Sequence, residues 1–248
     1  MYNKVKAIIP TCNLTMNDNI DQNEINKFAD IADKWWDPSG EFKPLHIINP
    51  VRAKYIAERC NIKGLNILDV GCGGGLLSEA LYDMGAIVTG IDVSERNINI
   101  ANIHSKKHNK KIKYYKISSD DLIKEKREFF DVVTCLEVVE HVPDPKYLVQ
   151  NCSDLLKPNG HMFLSTINRN PRSFITAILG AEYIFNVLPQ GTHEYHKFLK
   201  PSELASFMMQ AKIRLEETKG LFYNPIFHKA KINDDLGVNY MIHGIKND

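Results

Sequence analysis

The sequence predicts an α/β fold: a doubly wound, mostly parallel sheet of seven strands, with helices added at the N-terminus and a helical insertion before the last strands. Three observations predict it. Between residues 64 and 167, short apolar runs alternate with amphipathic segments of about 10 to 15 residues, which calls for right-handed crossovers over a sheet covered on both faces. The first run, "LNILDV", ends in a glycine cluster, "GCGGG". The second, "AIVTGIDV", ends in an acid, Asp92.

In chain order, the first 20 residues read as a loose leader, with an apolar core too short for a secretory signal and no arginine for a transit peptide. In "DQNEINKFADIADKWWDPSGEFKPLH", apolar residues at 25, 28, 29, 32, 35 and 36 mark a helical stripe that "DPSG" ends. A second helix is expected to start near Pro50 and run through "VRAKYIAERC". The alternating region then reads as strand "LNILDV", helix "LLSEALYDMG", strand "AIVTGIDV", helix "ERNINIANIHSKKHN" and strands "KIKYYKI" and "FFDVVTCLE". Helix "PKYLVQNCSDLLKPNG", with its glycine stop, and strand "HMFLSTIN" follow. Residues 168–200 form an apolar insertion. The helix "KPSELASFMMQA" and two strands, in "IRLEETKGLFYNP" and "GVNYMIHGIK", close a single domain spanning residues 1–248.

Composition narrows the function. A formal charge of +1 with scattered lysines lacks the concentrated basic footprint that nucleic acid requires. The five cysteines are odd in number and too far apart for a zinc knuckle or a CxxC, so they read as reduced thiols. No run of 18 apolar residues exists to span a membrane, and the expected location is the cytoplasm.

Glycines at 71, 73, 74 and 75 lie between a strand and a helix, where positive φ and a bare backbone let a ligand approach the unpaired N–H groups of the helix start. A dinucleotide fingerprint counted from Gly71 would put its third glycine at Leu76, so the pattern is G-x-G-x-G, preceded by Asp69. Asp92 can accept the ribose hydroxyls of an adenosine; capping the next helix together with Ser94 is the plainer alternative. Glu137, Glu140 and His141 follow the fourth strand in "CLEVVEHVPDP". If a helix starts there, positions i, i+3 and i+4 share one face at the carboxyl end of a parallel strand, where open sheets bind ligands.

The acid-preceded G-x-G-x-G and Asp92 together resemble the Rossmann-like class I S-adenosylmethionine-dependent methyltransferases. More specifically, "KFADIADKWWDPSGEFKPLHIINPVR", "LDVGCGGG", "VVTCLEVVEHVPDP", "STINRN", "GAEYI", "GTHEYHKFLKPSEL", "YNP" and "VNYM" resemble, in the same order, the ubiquinone-biosynthesis O-methyltransferases over about residues 21 to 243. The resemblance implies methylation of a phenolic oxygen on a lipophilic, polyprenylated catechol or hydroquinol, at a polyprenyl hydroxyphenol and at demethylubiquinol. It implies that Arg52 lies near the cofactor carboxylate. Asp69, Gly71 and Gly73 would form the cofactor loop, Asp92 would be the ribose acid, and Leu136, where relatives often carry methionine or serine, would line the adenosine. Asp120 and Asp121 fall where the family often contacts adenine. A class I methyltransferase for another small lipophilic acceptor is the nearest alternative. An NAD-dependent oxidoreductase would want the missing glycine, and a non-catalytic scaffold would leave the loop and the Glu-Glu-His cluster without a task.

A phenol titrates near 10, so its proton must be taken or shared. Either His141 is a general base whose imidazolium Glu140 or Glu137 stabilises, or Glu137, Glu140 and His141 hold a divalent ion such as Mg²⁺ that both catechol oxygens chelate. The apolar stretch 172–189 is too short to span a bilayer and reads as an interfacial contact with a membrane lipid surface, or as a lid on the protein's own core. Peripheral association at the inner face of the membrane and contact with other enzymes of the pathway are the corresponding expectations. Trp35 and Trp36 read as core packing, and His46, His193 and His196 as candidates to line a substrate cleft.

Overall fold

A computed structural model describes residues 19–23, 25, 34–40, 42–173 and 195–248. Most of the leader, residues 26–33 of the first helical stripe, His193 and the insertion from 174 to 194 lie outside the described residues. Helix α1 spans Lys43–Arg59, followed by β1 (Asn66–Val70), α2 (Leu76–Asp83), β2 (Ile87–Asp92), α3 (Glu95–Lys107), β3 (Lys113–Lys116) and α4 (Ser119–Lys126). After β4 (Phe130–Leu136) come one 3₁₀ turn (Val139–His141), α5 (Pro145–Leu155) and β5 (Leu156–Ile167). Beyond the insertion are α6 (Pro201–Gln210), β6 (Ile213–Asn224), β7 (Lys229–Asn233) and β8 (Asn239–Lys246).

The strand order is β3-β2-β1-β4-β5-β8-β6-β7, with β1 to β5 parallel and β8 antiparallel to both β5 and β6. Successive residues of the central strands go to opposite faces. Ile67, Val132, Phe163 and Met241 pack with residues of α1, α2 and α3, whereas Leu68, Val133, Leu164 and Ile242 pack with residues of α4, α5 and α6. A period of two with both members apolar is the signature of strands buried on both sides, and it makes the fold doubly wound.

Helix starts follow their capping chemistry. The Ser94, Ser118 and Asp144 side chains accept from the third residue onward, at Asn97, Asp121 and Tyr147, and Pro145 and Pro201 open α5 and α6 at positions that need no N–H. Ser94, not Asp92, is therefore the cap of α3.

Three details differ from expectation. The sheet has eight strands: "KAKIN" pairs with β6 as a hairpin and forms the edge, where alternating lysines hid a strand too short and polar to register. Helix α1 begins at Lys43, with Pro44 in its first turn, and runs on through Pro50. The stretch "LKPNG" belongs to β5 and not to the preceding helix, because Leu156 already pairs with Phe130 across an irregular register. No helix among the described residues is long and apolar enough to cross a membrane.

Candidate active site

The strand order reverses between β1 and β4, and the crevice outside their carboxyl ends is the natural ligand site of such a sheet. The glycine loop leaves β1 there. Gly71 has φ 69°, and a Cβ at this position would run into Val138; the Gly71 and Cys72 N–H groups donate to the Ile91 carbonyl at 2.8 and 3.0 Å. Asp92, at the end of β2, accepts from the Gly73 N–H at 3.0 Å and the Ser94 N–H at 2.8 Å, and burial raises its carboxyl above the usual range. Asp92 and the loop are thus one unit. Asp69 is different: its carboxylate lies beneath the loop and accepts from Ser78 Oγ at 2.7 Å and Thr134 Oγ1 at 2.8 Å, with burial pushing it up to about 6. From there it braces β1, β4 and α2.

Glu137 does not start a helix. Its N–H donates to the Ser165 carbonyl, continuing the ladder of β4, and its φ of 57° then turns the chain sharply. Its carboxylate accepts from Arg52 Nη2 at 2.7 Å, Ser165 Oγ at 2.6 Å and Asn239 Nδ2 at 3.1 to 3.2 Å. The shared helical face expected of Glu137, Glu140 and His141 is therefore absent, since only Val139–His141 form a turn. Ser165 and Asn239 were not recognisable as site residues: their motifs, "STIN" and "VNYM", carry no chemistry until β5 and β8 bring them beside Glu137.

Glu140 is 2% exposed, and neither carboxylate oxygen has a hydrogen-bond partner among the described residues. Burial, followed by the charge on Glu137, pushes its carboxyl up to about 7. An orphan carboxylate suits a proton or a cation. A three-ligand metal centre is not assembled, however. Among the described residues no group of three His, Cys, Asp or Glu side chains could hold an ion, and Glu137 is already committed to Arg52, Ser165 and Asn239.

Arg52 is buried, and its Nε has no partner among the described residues. An orphaned cationic donor fits a carboxylate such as that of S-adenosylmethionine, while the same guanidinium holds Glu137. Leu136 ends β4 half-buried against the same core cluster as Cys72. Asp121 lies in the first turn of α4, its N–H donating to the Ser118 hydroxyl, and the Asp120 carboxylate accepts from Asn151 of α5, which ties the two helices together.

The tryptophans do more than fill the core. A Cβ at Gly73 or Gly74 would collide with the Trp35 ring, Trp36 Nε1 donates to the Gly74 carbonyl at 2.9 Å, and the Trp36 ring lies parallel to His104 at 3.4 Å. His46 hydrogen-bonds the Trp35 carbonyl at 3.0 Å, and His196 is exposed.

The family described as "Methyltransferase domain" matches residues 23–215. The ubiquinone biosynthesis O-methyltransferase of Marinobacter nauticus is 50% identical over 229 residues, covering 92% of this chain and 96% of that protein. The protein of the same name from Pseudomonas syringae pv. tomato is 48% identical over 228 residues, covering 92% and 98%. Among solved structures, a possible histamine N-methyltransferase from Thermotoga maritima aligns with a TM-score of 0.63 at 20% identity, covering 90% of this chain and 99% of that one. A magnesium protoporphyrin IX methyltransferase from Synechocystis with bound S-adenosylmethionine aligns at 0.61 with 16% identity, covering 92% and 99%. Those two share the fold. With half its residues identical over nearly its full length, and with the glycine loop, Asp92 and the "EVVEH" turn gathered at one switch point, this chain belongs to the ubiquinone biosynthesis O-methyltransferases, enzymes that use S-adenosylmethionine.

Proposed function

We propose that this chain methylates a phenolic hydroxyl of a polyprenylated catechol or hydroquinol, acting on a polyprenyl hydroxyphenol and on demethylubiquinol. The observation that carries the acceptor side is the buried, unpartnered carboxylate of Glu140 beside His141, at the carboxyl end of β4. S-adenosylmethionine supplies, when bound, a methyl group activated on a sulfonium. Gly71, Gly73 and Asp92 would hold it, Leu136 would pack on its adenosine, and Arg52 would meet its carboxylate through Nε. His141 takes the phenolic proton, and Glu140 stabilises the resulting imidazolium. Glu137, locked by Arg52 and Asn239, fixes the turn that carries both.

A second reading has Mg²⁺ held by Glu140 and His141, with Glu137 joining once Arg52 releases it; the unpartnered Glu140 oxygens favour it. Bound there, the ion would acidify the phenol. Incubation with methyl-labelled S-adenosylmethionine and a short-chain demethylubiquinol, with and without chelator and added Mg²⁺, separates the readings. Label transfer that survives exhaustive chelation supports His141 as base, and transfer that needs added Mg²⁺ supports the ion. No transfer to the quinol under any condition overturns the assignment, and transfer only to other lipophilic phenols would favour the broader methyltransferase reading. Contact of residues 172–189 with lipid, location at the inner face of the membrane and association with other enzymes of the pathway extend the same proposal.

A further inference from the structure

The tip of the β6–β7 hairpin carries Ile226 and Phe227, each 70% exposed, the most exposed large apolar side chains in the described residues. They are held out and not tucked back: the Asn224 side-chain oxygen accepts from both the Ile226 and the Phe227 N–H, at 2.9 and 3.0 Å, and Tyr223 OH meets His228 Nδ1 at 3.0 Å. Basic side chains surround them. Lys229 pairs across from Asn224, Lys231 from Phe222, and Lys43 Nζ lies 3.1 Å from His228 Nε2.

The sheet register says which way the tip points. β6 is antiparallel to β8, which is antiparallel to β5, so β6 runs in the direction of β4 and β5 and ends at the active-site edge. Leu221 and Ile167 both pair with Asn239, the residue that holds Glu137. Phe222 to Asn224 therefore project about 10 Å beyond the level of the site, from a strand three positions, about 14 Å, across the sheet from β4.

We propose that this hairpin is a wedge that enters the headgroup region of an anionic bilayer, with Ile226 and Phe227 in the lipid, Tyr223 at the boundary and Lys43, Lys229 and Lys231 on lipid phosphates. It seats the crevice against the membrane from which a polyprenylated phenol would come, and so rests on the substrate reading given above. An apolar pair alone would fit a protein partner equally; the lysine ring selects an anionic surface.

The test is co-sedimentation of the full chain with phosphatidylcholine vesicles, with and without phosphatidylglycerol. I226S/F227S should weaken binding to the anionic vesicles roughly tenfold or more. K229E/K231E should weaken it roughly tenfold on anionic vesicles and little on neutral ones. I103S, which alters an exposed apolar residue on α3 near the opposite edge of the sheet, should change nothing. Undiminished binding of I226S/F227S overturns the proposal, as does a dimer in lipid-free sedimentation that F227S abolishes. Methylation of a short-chain demethylubiquinol in lipid-free buffer should be equal in wild type and I226S/F227S. If the wild type fails there yet still needs Phe227 for vesicles, the substrate reading falls and the wedge stands.

Discussion

Arg52 and Glu137 are 85 positions apart in the chain, and their side chains meet at 2.7 Å, with 8% and 21% of their surfaces exposed. The pair ties α1 to the end of β4, where the backbone turns through a left-handed residue. Removing one partner of a buried pair leaves the other charge uncompensated, although Ser165 and Asn239 would still bond Glu137. Arg52→Ala is expected to lose about 3 kcal/mol of stability, a fall of roughly 6 to 12 °C in Tm for a domain of this size. S-adenosylhomocysteine affinity should fall with it. Thermal melts and calorimetric titration check both; a variant that melts like wild type yet loses ligand affinity would make Arg52 a cofactor residue alone.

The carboxyl of Glu140 gives a pH signature. Its folded value, about 7, lies above its ordinary 4.5, so between those values the folded state keeps a proton that the unfolded state has lost. Its contribution to stability is complete below pH 4.5, is lost as pH rises through 7, and is flat above that. Glu140→Gln removes this dependence. At pH 8 in metal-free buffer the variant should exceed wild type by about 3 kcal/mol, from roughly 1.4 kcal/mol per pKa unit, and the two should converge near pH 4.5. Chemical denaturation across that range is the measurement. A variant less stable than wild type at pH 8, with the deficit shrinking toward low pH, would mean that a partner holds Glu140 ionised.

Much of the frame was legible because it rests on local chemistry. Paired apolar neighbours such as Ile67–Leu68 and Val132–Val133 announce strands buried on both faces, and Gly71 with its left-handed φ is a position that glycine alone fills cheaply. The site was legible as a list and not as an arrangement. Glu137 shares the "EVVEH" spacing with Glu140, but the ladder bond from its N–H to Ser165 keeps it on the strand, and distant Arg52 and Asn239 claim its carboxylate. Helical spacing is a local inference, and here long-range hydrogen bonds override it. Asp69 looked like its neighbours in the loop, yet Thr134, 65 positions away, holds it inward.

In the proposed mechanism His141 is the group that takes the phenolic proton. Its replacement by glutamine removes the base without adding charge, and kcat/KM is expected to fall roughly 10² to 10⁴-fold, the usual range for general base catalysis. S-adenosylhomocysteine affinity should be unchanged. The loss should shrink at high pH, where more of the phenol is already ionised. A loss that is constant with pH would argue for a positioning role.

Trp36 is the most direct handle on the glycine loop. Its indole N–H bonds the Gly74 carbonyl at 2.9 Å, its ring stacks on His104, and His104 Nδ1 is held by Glu79 at 2.8 Å, so the loop is fastened from outside by a chain of three side chains. Trp36→Phe keeps a ring for His104 and deletes only the hydrogen bond, a difference of about 1 kcal/mol or roughly fivefold in affinity. The expected result is a fivefold weaker Kd for S-adenosylhomocysteine, with KM for the phenol unmoved. Because the chain's two tryptophans both touch this loop, the fluorescence change on ligand binding reports the same contact in wild type. If KM for the phenol rises while Kd for the cofactor product holds, the tryptophan pair serves the acceptor side of the crevice, and the fastening of Gly74 is incidental to cofactor binding.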